Sequence, residues 1–176
     1  MGSFYTQVLV REEDATHCAQ LMKDLRRSAI VIPANNGISV VCDRESENQD
    51  IDVLDSVALT LSARLHTAAV GLLNHDDDLL VFRFFEYGAS LGGLQIGITP
   101  LSLRGSITTL RRLLRPSASL IATIGLFLRP YLFQIQRHAR IARVFDLPPR
   151  SVGHGYRYIK ERNFSGPFDM AGVIEV

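Results

Sequence analysis

Apolar residues follow two different periods along the first 88 residues. Phe4–Val10 is apolar on both faces of an extended strand, which predicts a central position in a sheet. Between residues 12 and 29 the apolar positions recur every three or four residues, and this spacing predicts an amphipathic helix. Residues 30–42 predict a β-hairpin, because their centre, Asn35–Gly37, consists of residues that tolerate positive φ angles.

The next segments repeat this alternation. Residues 51–66 place apolar side chains at helical spacing, which predicts a helix with Asp50 or Asp52 as its N-cap. Residues 68–73 and 79–87 predict two strands joined by a polar turn. The resulting order is β-α-β-β-α-β-β. It predicts an α+β fold, a two-layer sandwich with a ferredoxin-like arrangement of strands and helices.

The pattern weakens after residue 88. Residues 88–105 are rich in glycine, and we expect a loop with one strand, Leu94–Ile98. We expect a short helix that begins at Ser106 and ends before Pro116. The mostly apolar, uncharged run 117–128 is shorter than the roughly 18 residues that a membrane span needs, so it predicts a buried core helix.

The C-terminal part predicts a helix and a strand that complete the core. The apolar residues of this helix form one stripe, and its arginines lie off that stripe. The members of the stripe are Leu132, Ile135, Ala139, Ala142 and Phe145. Tyr156–Ile159 is the candidate for the last strand. We therefore expect one domain over residues 1–176. Its parts are a core at 1–88, an atypical Arg/Leu/Ser-rich segment at 89–130, and the completing elements at 131–163.

Composition limits the classes of function. The chain has 176 residues, of which 47% are hydrophobic and 21% charged, as in ordinary globular proteins. Two cysteines make no disulfide framework and no leader pattern precedes them, so we expect a cytoplasmic protein. No sequence motif for a metal, a nucleotide or a catalytic nucleophile is present. We therefore predict no cofactor and no metal, and we favour a protein that is not an enzyme.

The net charge of +1 conceals a division along the chain. Residues 1–86 contain 14 acids and 7 bases, whereas residues 87–145 contain 8 arginines and no acid. Arg111, Arg112 and Arg115 are the densest group of these arginines. They suit contact with anionic lipid or, less well given the scarcity of lysine and aromatic residues, with nucleic acid. Alternatively, they neutralise the acidic first half of the same chain.

Two polar clusters are candidates for a binding site. His75, Asp76, Asp77 and Asp78 combine imidazole and carboxylate groups that suit a divalent cation, but the same residue types are common in hairpin turns. His154 lies between two glycines and suits either a pocket or a plain turn. Cys18 and Cys42 lack the spacing of a redox or zinc site, so we predict two buried thiols.

Several motifs resemble those of a bacterial protein family to which no activity is attached. They are Ile38–Asp43, Gln49–Asp50, Leu61–Ser62, the Asn74–Asp78 turn with the strand that follows it, and, further along, Tyr131–Phe133 and Gly153–Tyr158. The resemblance covers residues 1–88 and 131–163. It implies no catalytic residue and no ligand.

The segment 89–130 departs from this resemblance, because the relatives are acidic and polar at this point. One hypothesis is that the segment is read out of frame between two in-frame flanks. The other is that it is a genuine folded element. The nucleotide sequence of the gene refutes the first hypothesis if neither alternative frame encodes an acidic segment.

We therefore expect a protein-interaction or regulatory module whose surface binds another protein. One alternative is a small enzyme or ligand-binding domain with a pocket near His75, Asp76 and His154. Another is peripheral binding to an anionic membrane through the arginine-rich segment. An integral membrane protein is not expected, nucleic acid is the less favoured partner, and the oligomeric state stays open.

Overall fold

The first half of the chain folds into strands and helices in the order that the sequence predicted. The structure, a computed structural model, describes residues 3–97, 102–103, 107–128, 131–162 and 168–176. The elements up to residue 96 are β1 (Tyr5–Val10), α1 (Ala15–Asp24), β2 (Ala29–Asn35), β3 (Ile38–Asp43), α2 (Ile51–Arg64), β4 (Ala68–His75), β5 (Leu79–Glu86) and β6 (Ala89–Ile96). A 3₁₀ turn, Ser46–Asn48, precedes α2.

The second half contributes helices and two short strands. Its elements are β7 (Ser102–Leu103), α3 (Ile107–Leu114), α4 (Leu120–Leu128), α5 (Gln134–Phe145), α6 (Tyr156–Lys160) and β8 (Ile174–Glu175). The glycine-rich segment forms a strand of eight residues, β6, which is longer than predicted. The predicted cap Ser106 and the predicted strand end Ile98 lie outside the described residues.

The predicted last strand at Tyr156–Ile159 is wrong, because these residues form α6. The cause is a contact that lies far away in sequence. The Glu47 carboxylate accepts a hydrogen bond of 2.6 Å from the backbone N–H of Arg157. It thus supplies the cap that the local sequence lacks, since the N-cap residue Gly155 has no side chain.

The strands form one antiparallel sheet of eight strands in the order β7-β6-β5-β4-β1-β3-β2-β8. Each neighbouring pair runs antiparallel. The α+β class is therefore confirmed, whereas the number and overall order of strands differ from the ferredoxin-like arrangement that we predicted. Short strands at both margins and a β-meander from β4 to β6 enlarge the sheet.

Helices cover both faces of this sheet. One face packs against α1 and α2 in an apolar cluster that includes Val8, Met22 and Leu54. The other packs against α3, α4 and α5, which we call the Arg-rich layer. All six residues of β1 are buried, so apolar side chains on both faces of this strand require cover. The predicted two-layer sandwich is therefore wrong, and the fold has three layers.

The turn between β4 and β5 has the geometry expected for a tight hairpin. Asp76 and Asp77 have φ angles of 51° and 57°, and Asp78 N–H donates to the His75 carbonyl over 3.1 Å. Two successive positive φ values form a type I′ turn, whose twist matches that of the flanking strands. The N-cap of α2 is also confirmed, since the Asp50 carboxylate accepts from the N–H groups of Asp52 and Val53.

The helices of the Arg-rich layer do not bury all the residues that the sequence predicted to be buried. We predicted that α4 would be a buried core helix, yet it buries only Thr123, Leu126 and Phe127. In α5 the buried side includes Arg137 and His138, whereas Leu132 precedes the helix and is 86% exposed. Ala142 and Phe145 of the predicted stripe are buried, whereas Ile135 and Ala139 are only partly buried, so the stripe is confirmed in its second half alone.

Replacing Gly155 with alanine tests the contact that caps α6. A Cβ at this position would overlap the Glu47 carboxylate and lie 2.9 Å from Tyr5 Cβ, so we expect a loss of about 1–3 kcal/mol in unfolding free energy. Urea denaturation measures this loss. Gly125→Ala in α4 is the control, since nothing lies within 4 Å of its new Cβ. There we expect a gain of about 0.5–1 kcal/mol from helix propensity. Equal stability of the two variants would contradict the packing around Glu47.

Candidate functional site

The His75–Asp78 turn divides its four side chains between solvent and the interior. His75, Asp76 and Asp78 are exposed, whereas Asp77 is buried. His75 lies against the ring of Phe4, at 5.1 Å between centroids, and its Nδ1 is 3.2 Å from Gln49 Oε1. Among the described residues, no group of three or more acidic, histidine or cysteine side chains could hold a metal ion.

Asp77 holds together three separate segments of the chain. Its carboxylate accepts hydrogen bonds from the backbone N–H of Ser3 and from Asn74 Nδ2, each over 3.0 Å. Its backbone carbonyl accepts from the N–H of Gln134, the first residue of α5, over 2.9 Å. The carboxylate therefore anchors the N-terminal segment and the backbone carbonyl anchors α5, so the hydrogen bonds of Asp77 serve the fold.

His154 lies on the other face of the sheet from His75. Side chains alternate along β4, so Leu72 belongs to the cluster under the Arg-rich layer and Leu73 to the cluster under α1 and α2. His75 therefore projects to the α1–α2 side. The backbone carbonyl of His154 instead accepts from Gln7 Nε2, which lies under the Arg-rich layer with the neighbouring strand positions. The structure thus does not bring His75, Asp76 and His154 into one pocket.

The environment of His154 is half-buried and well defined. Its Nδ1 is 3.1 Å from the Arg150 carbonyl oxygen, and its ring contacts Phe168 edge-on at 5.1 Å. Burial lowers the pKa of His154, against the opposing effect of backbone hydrogen bonds at Arg150 and Val152. This histidine is therefore held in place by contacts within the chain.

The three predicted arginines all make contacts within the chain. Arg112 Nη1 lies 2.8 Å from Glu86 Oε1, and Arg115 lies 3.5 Å from Asp146. Arg111 donates through Nε to the Ala118 carbonyl. Part of the positive charge of the segment is therefore neutralised internally, although the Arg112 side chain stays half-exposed at 53%.

Both thiols are buried, as predicted. Cys18 and Cys42 are free cysteines without exposed surface. Burial, with the nearby carboxylates of Glu12 and Asp14, raises the pKa of Cys18 to about 12. Burial raises the pKa of Cys42 as well. Thiols of this kind are poor nucleophiles at neutral pH, because the thiolate is scarcely populated.

A buried pair, Tyr5 and His138, was missed by sequence reasoning. The Tyr5 hydroxyl and His138 Nδ1 form a hydrogen bond of 2.7 Å, and the two rings stack at 5.6 Å. His138 Nε2 has no hydrogen-bond partner among the described residues. Burial, and secondarily His154, lower the pKa of His138 to about 3, so its imidazole is neutral. The two residues are 133 positions apart, and no local pattern indicates their contact.

An open cleft of about 500 Å³ lies where the 3₁₀ turn meets α6. Its walls include Arg44, Glu47, Asn48, Tyr156, Arg157 and Lys160. Burial raises the pKa of Glu47, but one oxygen of this carboxylate already caps α6. Its three basic residues, Arg44, Arg157 and Lys160, are matched in number by the acids Glu45, Glu47 and Glu161, so its charge selects neither cations nor anions.

The outer side of the Arg-rich layer carries a surface of six exposed, large apolar side chains. We call it the α4 surface, and its members are Leu120, Ile121, Ile124, Leu128, Leu132 and Phe133. Ile121 is 84% exposed and Leu128 is 77% exposed. Large apolar side chains scattered singly over a protein surface are ordinary, whereas six within 14 residues of sequence indicate a contact surface.

Arginines lie on the helices that contact α4. Because α4 contacts both α3 and α5, it lies between the helices that carry most of them. Arg140 and Arg143 are exposed on α5, and neither forms an ion pair with any described residue. None of the described helices is long and apolar enough to cross a membrane.

Acid should destabilise the protein through His138. Its pKa is about 3 when folded and about 6.5 when unfolded, so the unfolded chain binds the extra proton as pH falls below 6.5. We expect a loss of about 2 kcal/mol between pH 7 and pH 5 from this group. His138→Gln, whose amide still accepts from Tyr5, should flatten that pH dependence in urea titrations. An unchanged slope for His138→Gln would contradict the burial of its imidazole.

Comparison with known proteins assigns no family to the chain. No protein-family model, no curated protein and no solved structure matches it. The resemblance to a bacterial family and the hypothesis of an out-of-frame segment therefore both stay predictions. The α4 surface, defined from the residues themselves, is the candidate functional site of this chain.

Proposed function

We propose that the protein is a binding module that works through the α4 surface. The observation that carries the proposal is the exposure of six large apolar side chains along one helix and the segment that follows it. Exposing this much apolar surface costs solvation free energy, since each buried apolar Å² would contribute about 25 cal/mol. A partner surface that covers these side chains recovers that free energy.

The interior side chains that could take part in catalysis are buried or form hydrogen bonds that stabilise the fold. Tyr5 and His138 are fully buried, and both thiols are buried with raised pKa values. Asp77 and Glu47 accept backbone hydrogen bonds that hold α5 and α6 in place. These observations support surface recognition over catalysis as the function of the domain.

The scaffold of the module is, in this proposal, a ferredoxin-like unit enlarged by added strands. Four neighbouring strands of the sheet stand in the order β4-β1-β3-β2, and α1 and α2 pack on one face of it. The connections β1-α1-β2 and β3-α2-β4 suit that arrangement. The two free cysteines suit the reducing cytoplasm, which we propose as its location.

The double variant Ile121→Asp/Ile124→Asp tests whether the α4 surface is a contact surface. These side chains touch solvent, so the melting temperature should change by less than about 2 °C. Fluorescence of a hydrophobic dye that binds exposed apolar surface should fall. Leu59→Asp on α2 is the matched control, because Leu59 and Ile124 are both 37% exposed. A fall of more than about 5 °C in the double variant alone would show that the surface is packed and would refute the proposal.

A photo-crosslinking amino acid placed at position 124 tests the same proposal in cells. We expect adducts with a partner molecule at position 124, and none at position 59. Mass analysis of the adduct distinguishes a protein partner from lipid. Equal adducts at the two positions would mean that the α4 surface has no privileged partner.

A further inference from the structure

We propose that the partner of the α4 surface is an anionic lipid bilayer, to which the protein docks peripherally. This inference rests on the proposed function above and names its partner. It follows from the chemistry of the exposed side chains, from the charges around them and from the disposition of the helices.

The exposed side of α4 offers a partner no hydrogen-bonding side chain. Its exposed residues are Leu120, Ile121, Ala122, Ile124 and Leu128. The one hydroxyl of the helix, on Thr123, is buried and donates to the Ser119 carbonyl over 2.8 Å. Protein interfaces carry about one hydrogen bond per 100–200 Å², so a purely aliphatic surface suits acyl chains better than a protein partner.

The charges next to the α4 surface are positive. Arg140 and Arg143 point outward from α5, four and seven positions after the exposed Gln136. The nearest acids in sequence, Glu86 and Asp146, are already paired with Arg112 and Arg115. An aliphatic helix that packs beside a helix with unpaired arginines is complementary to lipid tails beneath anionic headgroups.

The same charges disfavour a second copy of the chain. In a symmetric dimer both copies contribute the same surface, so Arg140 and Arg143 would gain no acidic partner from the α4 surface of the other copy. Nucleic acid is disfavoured for a different reason, since Phe133 is the single aromatic member of the α4 surface on which a base could stack.

The disposition of the helices allows α4 to lie flat on a membrane. The helices α3, α4 and α5 pack on one face of the sheet, so their exposed sides point away from it together. The nine residues of α4 form a helix about 13 Å long. A helix of this kind inserts its apolar side about 5–10 Å into the boundary between headgroups and acyl chains. Leu132 and Phe133 extend the same apolar contact beyond the helix.

Vesicle flotation with the full chain tests the inference. One set of vesicles contains phosphatidylcholine alone, and the other contains phosphatidylcholine with phosphatidylglycerol. We expect flotation with the anionic vesicles only, and we expect it to weaken as NaCl rises from about 50 mM to about 500 mM. Ile121→Asp/Ile124→Asp should reduce binding more than about tenfold, and Leu59→Asp should leave it unchanged.

A second variant separates the charge contribution from the apolar one. Arg140→Gln/Arg143→Gln should weaken binding to the anionic vesicles roughly 30-fold, because each arginine near such a surface contributes about a fivefold factor. Arg64→Gln, on α2 and across the sheet, is the matched control and should keep wild-type binding.

Three results would overturn the inference. Equal flotation with neutral and anionic vesicles would remove the role of the arginines. No flotation, together with a protein adduct at position 124, would leave a binding module with a protein partner. A dimer in sedimentation analysis that Ile124→Asp dissociates would assign the α4 surface to a second copy. A packed α4 surface, detected by melting, or equal adducts at positions 124 and 59 would refute the proposed function as well.

Discussion

The burial of β1 on both faces is the constraint on which the rest of the structure depends. Tyr5 and Leu9 point to one side of the sheet and Val8 and Val10 to the other, and each is fully enclosed. The helices α1 and α2 cover only one of these sides. The second side requires the Arg-rich layer, so a segment without any acidic residue has to supply part of the core.

This constraint explains why the Arg-rich layer has two chemically different sides. Toward the sheet it presents leucine, isoleucine and phenylalanine, with Leu110, Leu126 and Phe145 among the most enclosed. Away from the sheet it presents arginines on α3 and α5 and aliphatic residues on α4. A solvated helix normally carries polar residues on its outer side. The apolar outer side of α4 is therefore the part of the layer that packing within the chain does not explain.

The sequence predicted the first half well because the determinants there are local. Asp50 caps the helix it precedes, and Asn36–Gly37 forms the turn that its residue types favour. The second half depends on contacts that no short window contains. The conformation of residues 156–160 is set by Glu47. The buried His138 could not be distinguished from an exposed histidine, because its partner Tyr5 lies at the other end of the chain.

The sequence identified the region that contains the candidate site, but it did not identify which residues of that region are exposed. The acid-free stretch identified the correct region, yet the arginines chosen from it, Arg111, Arg112 and Arg115, all have contacts within the chain. Arg140 and Arg143, which are exposed and have no acidic partner among the described residues, lie on α5, where only the packing of the helix shows which arginines face outward. Likewise, His75 and His154 suggested a common pocket until the alternation of β4 placed them on opposite faces.

The contacts that attach the Arg-rich layer have a consequence for the order of folding. Gln7 with Ser151, Asn35 with Asp146 and Asp77 with Gln134 are each joined across more than 50 residues of chain. Closing such long loops is slow compared with forming the local hairpins β2–β3 and β4–β5. Any conformation in which α5 has not docked onto the Asp77 carbonyl leaves uncovered the face of the sheet that carries Tyr5 and Leu9. Exposed apolar surface of this kind favours aggregation, so these long-range contacts protect the sheet.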